Sequence, residues 1–240
     1  MSPDTAVMSR IALLVALEAG HADVMQLLLE AGADISPVLS EDGFDALHRA
    51  VDKGYMEASE LLLEAAAAGE ARSKDGKTAL MIAVELGDQE AVRLLLDAGA
   101  DVNALSSGEG LSALHFAATK NAEVCVMLLE AGASPAITSF DGATPLMFAV
   151  RNRVGTNLIA LLLERGAPVN AQDNQGKTAL MMAAANYNTS MAQFLLRRGA
   201  DISIRSLEGN TAIDYAGDRN GRLLERYDNM LQEVQSLIEA

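Results

Sequence analysis

Four side chains in this 240-residue sequence belong to the types that most often carry chemistry, namely His21, His48, His115 and Cys125. A histidine serves as a general base or a metal ligand near neutral pH, and an ionised cysteine thiol serves as a nucleophile. The intervals between these residues match no zinc-binding spacing, and the sequence has no GxxxxGK[ST] loop to hold a phosphate. Whether the four side chains meet depends on the elements that carry them.

Those elements are set by an internal repeat. An eight-residue string recurs with starts separated by 33 or 34 residues, and a tetrapeptide that begins two residues after a glycine recurs in step with it. The strings are LLLEAGAD (27–34), LLLEAAAA (61–68), LLLDAGAD (94–101), MLLEAGAS (127–134), LLLERGAP (161–168) and FLLRRGAD (194–201), and the tetrapeptides are DALH (45–48), TALM (78–81), SALH (112–115), TPLM (144–147), TALM (178–181) and TAID (211–214).

The third copy shows what one repeat predicts. Thr78 is placed to cap a first helix, which Gly87-Asp88 ends before a second helix begins. Gly99 follows the second helix and is expected to stop it in a left-handed conformation, and residues 100–110 return as an extended finger. One such unit is too thin to bury its own apolar face, so we expect each repeat to be stabilised by stacking on its neighbours.

The period and the two motifs together resemble the ankyrin repeat, over about residues 9–240. The resemblance implies an all-α fold, a solenoid of about seven helix-turn-helix repeats with extended finger loops, in one domain whose terminal repeats act as caps. The expected repeats are 9–42, 43–75, 76–109, 110–141, 142–175, 176–208 and 209–240.

The repeat also gives structural roles to three of these four side chains. The resemblance implies that His48 and His115, at the fourth tetrapeptide position, form hydrogen bonds that link neighbouring loops. Because the histidines lie one or two periods apart, they are not expected to converge on a metal. Cys125 lies within a second helix, where a core thiol is expected. We therefore expect no enzyme, no cofactor and no metal site.

Ankyrin repeats characteristically bind proteins through finger tips and the exposed sides of first helices, so the resemblance implies a non-catalytic adaptor or scaffold. Two alternatives remain open, a structural subunit held permanently in a large assembly and a regulatory inhibitor of an enzyme. Side chains that depart from the repeat's own pattern are the expected contacts with a protein partner. These are Phe44, Lys77, Leu86, Leu111, Phe140, Arg151, Lys177 and Leu207.

The first repeat presents an unusual helix. Residues Ile11–Ala19 are apolar nearly all round, and no earlier copy precedes them to cover Ile11, Leu14 and Val15. We expect a partner, a second copy of the chain or a folded-back leader, Met1–Ser9, to cover this face. The alternative is that the chain is part of a longer repeat array.

Two other segments depart from the pattern. Ala66 stands where the second helix should meet its glycine, so this helix is predicted to run through residues 65–68 to Gly69, with a short, distorted finger at 70–75. Residues 222–240 predict an amphipathic helix, either a C-terminal cap or a partner-binding helix. Leu95, Asp101 and Asn103 are similar to the motif of an asparaginyl hydroxylase that acts on ankyrin repeats, which would make Asn103 a modification site.

Charge and hydropathy narrow the partners further. The net charge is −15, and residues 1–140 carry 22 acidic against 8 basic side chains. This acidity disfavours nucleic acid and favours solubility or a basic partner. The longest apolar run has only seven residues, which predicts no membrane insertion, and a lone cysteine forms no internal disulfide. The expected location is the cytoplasm, with the nucleus as the alternative.

Overall fold

The computed structural model describes residues 3–33, 46–64, 72–217 and 229, and within them it contains helices joined by turns and no β-strand. The all-α prediction is thereby confirmed. The helices are α1 (Pro3–Glu18), α2 (Ala22–Glu30), α3 (Ala46–Asp52), α4 (Met56–Glu64), α5 (Ala79–Leu86), α6 (Gln89–Asp97), α7 (Ala113–Ala117), α8 (Ala122–Glu130), α9 (Pro145–Arg151), α10 (Thr156–Glu164), α11 (Ala179–Ala185) and α12 (Thr189–Arg197).

The chain forms two compact units. Unit 1 comprises residues 1–116 and 130–132, and unit 2 comprises residues 117–129 and 133–240. In unit 1 the helix pairs α1–α2, α3–α4 and α5–α6 pack in order, with first helix on first helix and second helix on second helix. In unit 2, α9 packs on α10 and α11, and α11 packs on α12. This is the nearest-neighbour stacking that a helical repeat requires.

The turns of the third copy form as predicted. The Thr78 hydroxyl accepts a hydrogen bond from the Met81 N–H at the start of α5. Gly87 ends this helix with a φ of 75°, and the Asp88 carboxylate caps α6. Gly99 follows α6 with a φ of 83°. Local sequence therefore dictates both helix ends through side-chain caps and glycine stops.

The first helix differs from its prediction. It begins at Pro3 rather than Ile11, so residues 3–9 extend α1, and the expectation of a folded-back leader was wrong. One face, with Leu13 and Leu17, is buried against the repeat. The opposite face exposes Ile11 by 50% and Val15 by 62%, while Leu14 is half-buried. The α1 sequence thus leaves apolar surface in solvent.

Several predictions lie outside the described residues. They concern Phe44, the helix end at 65–69 and the C-terminal helix at 222–240, of which only Asn229 is described. No helix in the described part of the chain has the length and apolarity needed to cross a membrane.

Candidate functional site

Each finger is closed by a short turn that its sequence specifies. In unit 1 the Ser73 N–H donates to the Lys77 carbonyl at 2.9 Å, and the Ser73 hydroxyl accepts from the Lys77 N–H. In unit 2 Asp173 makes the same two contacts with Lys177, through its N–H and its carboxylate. The paired contacts give these two tips the same turn, so they differ mainly in their side chains, whereas the tip at residues 106–111 is one residue longer.

Neighbouring fingers of unit 2 are joined by backbone hydrogen bonds. The Asn174 N–H donates to the Asp141 carbonyl at 2.8 Å, and the Leu207 N–H donates to the Gln175 carbonyl at 2.9 Å. Gly176 lies in this contact with a φ of 71°, and a Cβ built there would lie 2.8 Å from the Leu207 nitrogen. The approach therefore requires glycine, and it holds the three tips side by side.

The joined tips of unit 2 present two large apolar side chains to solvent. Phe140 is 58% exposed and Leu207 is 81% exposed, with Asn174 at the same turn position of the finger between them. In unit 1 the same turn position is held by the polar residues Lys74 and Ser107. An exposed aromatic and an exposed leucine on neighbouring rigid turns are the kind of groups that anchor a protein ligand.

A cavity lies behind the finger at Lys77 in unit 1. Its volume is about 590 Å³, and Lys77, Glu85, Leu111 and Phe116 are among its lining residues. The Lys77 ammonium forms an ion pair with the Glu85 carboxylate at 2.6 Å and lies 5.2 Å from the centroid of the Phe116 ring. The charge of this lysine is therefore neutralised within the unit.

A cavity of about 230 Å³ lies behind the corresponding finger of unit 2, and Lys177, Ala185 and Tyr215 are among its lining residues. The Lys177 ammonium lies 5.6 Å from the centroid of the Tyr215 ring, as Lys77 does over Phe116. Arg151 also lines this cavity, and its guanidinium lies 4.5 Å from the centroid of the Phe148 ring. Sequence analysis selected Arg151 and Lys177 separately, and the structure brings them to one pocket.

Leu86 and Leu111 differ in their placement. Leu86 is 53% exposed at the end of α5, but Leu111 is only 7% exposed. The backbone of Leu111 pairs with Ser106, whose hydroxyl accepts the Leu111 N–H at 3.0 Å. Because that turn directs the leucine side chain inward, the expectation of an exposed anchor at Leu111 was wrong.

The histidines do not gather into a site. His48 is buried and its Nε2–H donates to the Lys77 carbonyl at 2.9 Å, which is the loop-linking hydrogen bond that was expected. His115 is also buried, and its Nδ1 accepts a hydrogen bond from the Ser112 N–H, whereas His21 is exposed. No group of three or more histidine, cysteine, aspartate or glutamate side chains in the described residues is placed to hold a metal ion.

Cys125 and Asn103 also take part in the packing of the repeats. Cys125 is fully buried, and burial raises the pKa of its thiol to about 12, so the thiolate is suppressed at neutral pH. The Asn103 amide is exposed and donates to the Gly132 carbonyl at 3.2 Å within unit 1. Asn170 makes the same contact with Gly199 in unit 2, so this asparagine position links successive repeats.

Sequence reasoning did not predict the backbone conformation of two residues at the turns between helices in unit 2. Arg153 and Tyr187 have φ values of 57° and 55°, where unit 1 uses Gly20, Gly54 and Gly87. A bulky residue in this left-handed region costs about 1–2 kcal/mol. The loss of glycine from these turns, visible in the sequence, was the signal for both positions.

Comparisons with known proteins agree with this architecture. A family model described as ankyrin repeats (3 copies) matches residues 3–73, 67–139 and 103–173, and a second, described as ankyrin repeats (many copies), matches residues 162–216. No curated protein has a sequence that matches this one.

Two solved structures are similar over most of the chain. The ankyrin repeat domain of Bcl-3, described as a unique member of the IkappaB protein family, has 30% sequence identity and a TM-score of 0.80, over 90% of this chain and 97% of that one. The human ASB11 ankyrin repeat domain has 25% identity and a TM-score of 0.73, over 90% of this chain and 96% of that one.

Proposed function

This chain belongs to the ankyrin repeat family, whose domains are in general non-catalytic protein-interaction modules, and we propose that it is an adaptor that binds a protein partner through the finger tips and first helices of unit 2. The observation that carries the proposal is the exposure of Phe140 and Leu207 on tips held side by side by backbone hydrogen bonds. Exposed apolar groups on a rigid support bind with little loss of conformational entropy.

The first helices supply the rest of the proposed surface. Phe148 and Met182 on α9 and α11 are half-buried, as is Tyr215 in the next helical segment, and all three occupy one position of the repeat. Arg151 and Lys177 add cations beside the aromatic rings. Aromatic and arginine side chains are enriched among residues that dominate binding energy at protein interfaces.

The double variant Phe140→Ala with Leu207→Ala tests this proposal. Affinity capture with mass spectrometry should recover at least one protein with the parent chain and lose it with the double variant. Since both side chains are exposed, the melting temperature should change little. The matched control is Lys74→Ala with Ser107→Ala at the same turn positions of unit 1, which should retain the captured protein. Equal capture by both double variants would contradict the proposal.

A second candidate function is that of a structural subunit held in an assembly, and it is argued from the first repeat. Besides Ile11 and Val15, α1 exposes Met8 by 69%, and α2 exposes Val24 by 41% and Leu27 by 66%. At the repeat position of Val24, Ala91 in the third copy is fully buried. Light scattering over a range of concentrations should then show association that Val15→Glu abolishes, and a monomer at every concentration would exclude self-assembly through this face.

A further inference from the structure

Two pockets of the molecule share a lysine over an aromatic ring but differ in the acidic side chains beside it. Four lining residues of the unit 1 cavity, Asp75, Lys77, Glu85 and Phe116, have direct counterparts in the unit 2 cavity. The counterparts are Gln175, Lys177, Ala185 and Tyr215. Both pockets therefore keep a lysine over an aromatic ring, and the two acidic side chains of this set, Asp75 and Glu85, are replaced in the second pocket by Gln175 and Ala185.

The structure of unit 1 shows what the lysine binds in this setting. The Glu85 carboxylate, at the end of α5, reaches the Lys77 ammonium at 2.6 Å. Replacing the glutamate by alanine at 185 leaves open the corresponding space beside Lys177, because the alanine side chain ends at its Cβ. Among the described residues, no carboxylate lies within ion-pair distance of Lys177.

The groups that surround this space favour an anion. Arg151 and Lys177 contribute two positive charges, and both side chains are held against aromatic rings. Asp173 is the acidic residue that lines the pocket, and its Oδ1 accepts the backbone N–H groups of Gln175 at 2.9 Å and Lys177 at 2.8 Å. Its charge only partly offsets the two cations, so the pocket keeps net positive charge within an acidic protein.

Size and lining restrict the ligand further. A volume of about 230 Å³ falls below the ~300–1,000 Å³ typical of small-molecule sites, so the pocket suits one or two side chains of a protein. Met182 and Tyr215 give it an apolar wall beside the cations. The exposed Phe140 and Leu207 lie on the finger tips of the same unit.

We propose that the unit 2 pocket binds an aspartate or glutamate side chain of the protein partner, whose carboxylate takes the place beside Lys177 that Glu85 takes beside Lys77. An apolar side chain next to that acid contacts Met182 and Tyr215. This inference rests on the proposed function, because it specifies a chemical feature of the partner that the finger tips bind.

The direct test uses blocked amino acids and the whole chain. N-acetyl-glutamate amide is titrated against the protein while NMR follows the Lys177 side chain and the Tyr215 ring. Saturable shifts are expected at both residues, with binding roughly tenfold weaker for N-acetyl-glutamine amide, which lacks the charge. No saturable shift, or equal binding of the two compounds, overturns the proposal. Tighter binding of inorganic phosphate than of the glutamate compound would overturn the assigned carboxylate chemistry.

Ala185→Glu and Glu85→Ala exchange the residue that differs between the two pockets, and Ala185→Gln is the matched control. Ala185→Glu supplies an internal carboxylate to Lys177 and should abolish the response, whereas Ala185→Gln should retain it. Glu85→Ala should transfer the response to Lys77 and Phe116 in unit 1. Both exchanged positions are at least partly exposed, so circular dichroism should show folded protein throughout. A response unchanged by Ala185→Glu overturns the proposal.

Measurements of partner binding distinguish a failure of this inference from a failure of the proposed function. If Ala185→Glu weakens partner binding about tenfold, the pocket and the finger tips act together. If Phe140→Ala with Leu207→Ala abolishes partner binding while Ala185→Glu leaves it unchanged, the acidic contact is wrong and the proposed function stands. If neither variant affects the partner, both are wrong.

Discussion

The repeats that begin at Gly76 and Gly176 lie 100 residues apart and show what is fixed and what is free in this protein. Both cap their first helix with a threonine, Thr78 or Thr178, whose hydroxyl accepts the N–H three residues later. They differ where the side chain reaches solvent, with Glu85 against Ala185. The helix cap is thus the same in both repeats, whereas the side chain at the end of the first helix differs.

The largest expected effect comes from truncating a buried leucine, and it tests whether the cores of the two repeats contribute equally to stability. Leu95 and Leu195 occupy the same position of α6 and α12, and both are fully buried. Leu95→Ala and Leu195→Ala should each lower the free energy of unfolding by about 2–5 kcal/mol, since each leaves a cavity in a packed core. Urea denaturation provides the measurement. A small loss for one and a large loss for the other would break the equivalence of the two repeats.

A second pair of substitutions separates finger stacking from backbone strain. Gly176 and Gly199 have φ values of 71° and 86°, so alanine is strained at both. Only Gly176 has close neighbours, because a Cβ at Gly199 meets nothing within 4 Å. Gly199→Ala should cost about 1–2 kcal/mol in stability, and Gly176→Ala about 1–3 kcal/mol more. Equal losses in thermal unfolding would show that the fingers do not need this close approach.

Substitutions at the turn between helices should change stability less, and with opposite signs in the two repeats. Gly87 and Tyr187 both adopt left-handed conformations, which only glycine adopts without strain. Tyr187→Gly should stabilise the protein by about 0.5–1 kcal/mol, because relief of strain exceeds the extra freedom of glycine in the unfolded chain. Gly87→Tyr should destabilise it by about 1–2 kcal/mol. If Tyr187→Gly is stable but weakens partner binding, the tyrosine serves recognition at the expense of stability.

The smallest expected effect concerns the ion pair itself. Lys77 and Glu85 side chains are 27% and 35% exposed, and ion pairs in such surroundings contribute less than about 1 kcal/mol. Glu85→Ala should therefore change the melting temperature only slightly, with Glu85→Gln as a control for packing. A large destabilisation would mean that the carboxylate serves folding, and would weaken the comparison between the two pockets.

Much of the fold followed from single residues. Thr78, Gly87, Asp88 and Gly99 specify helix ends through local hydrogen bonds and backbone freedom, so the sequence alone predicts α5 and α6 correctly. The start of α1 was misplaced because residues 4–10 contain no proline or glycine, so the helix continues back to Pro3, which is tolerated at its first position. The strain at Tyr187 was missed because the loss of glycine at this turn position was not interpreted as a non-glycine residue with a positive φ.

The site was less accessible from the sequence. Departure from the repeat pattern correctly selected the exposed residues Phe140 and Leu207 but also Leu111, whose side chain is buried. A departure in residue type does not reveal whether the side chain points to solvent or inward, because that depends on the turn and on the neighbouring finger. The pattern also selected Lys77 and Lys177 alike, although among the described residues Lys77 has a carboxylate partner and Lys177 has none.

The sequence by itself determined the repeat, its helices and their caps, because these depend on contacts between residues close in the chain. It also determined that unit 1 carries most of the negative charge. Tertiary structure alone decided which side chains share a pocket and which reach solvent. Arg151, Lys177 and Tyr215 are separated by 26 and 38 residues in sequence, and only the stacking of successive repeats brings them around one cavity.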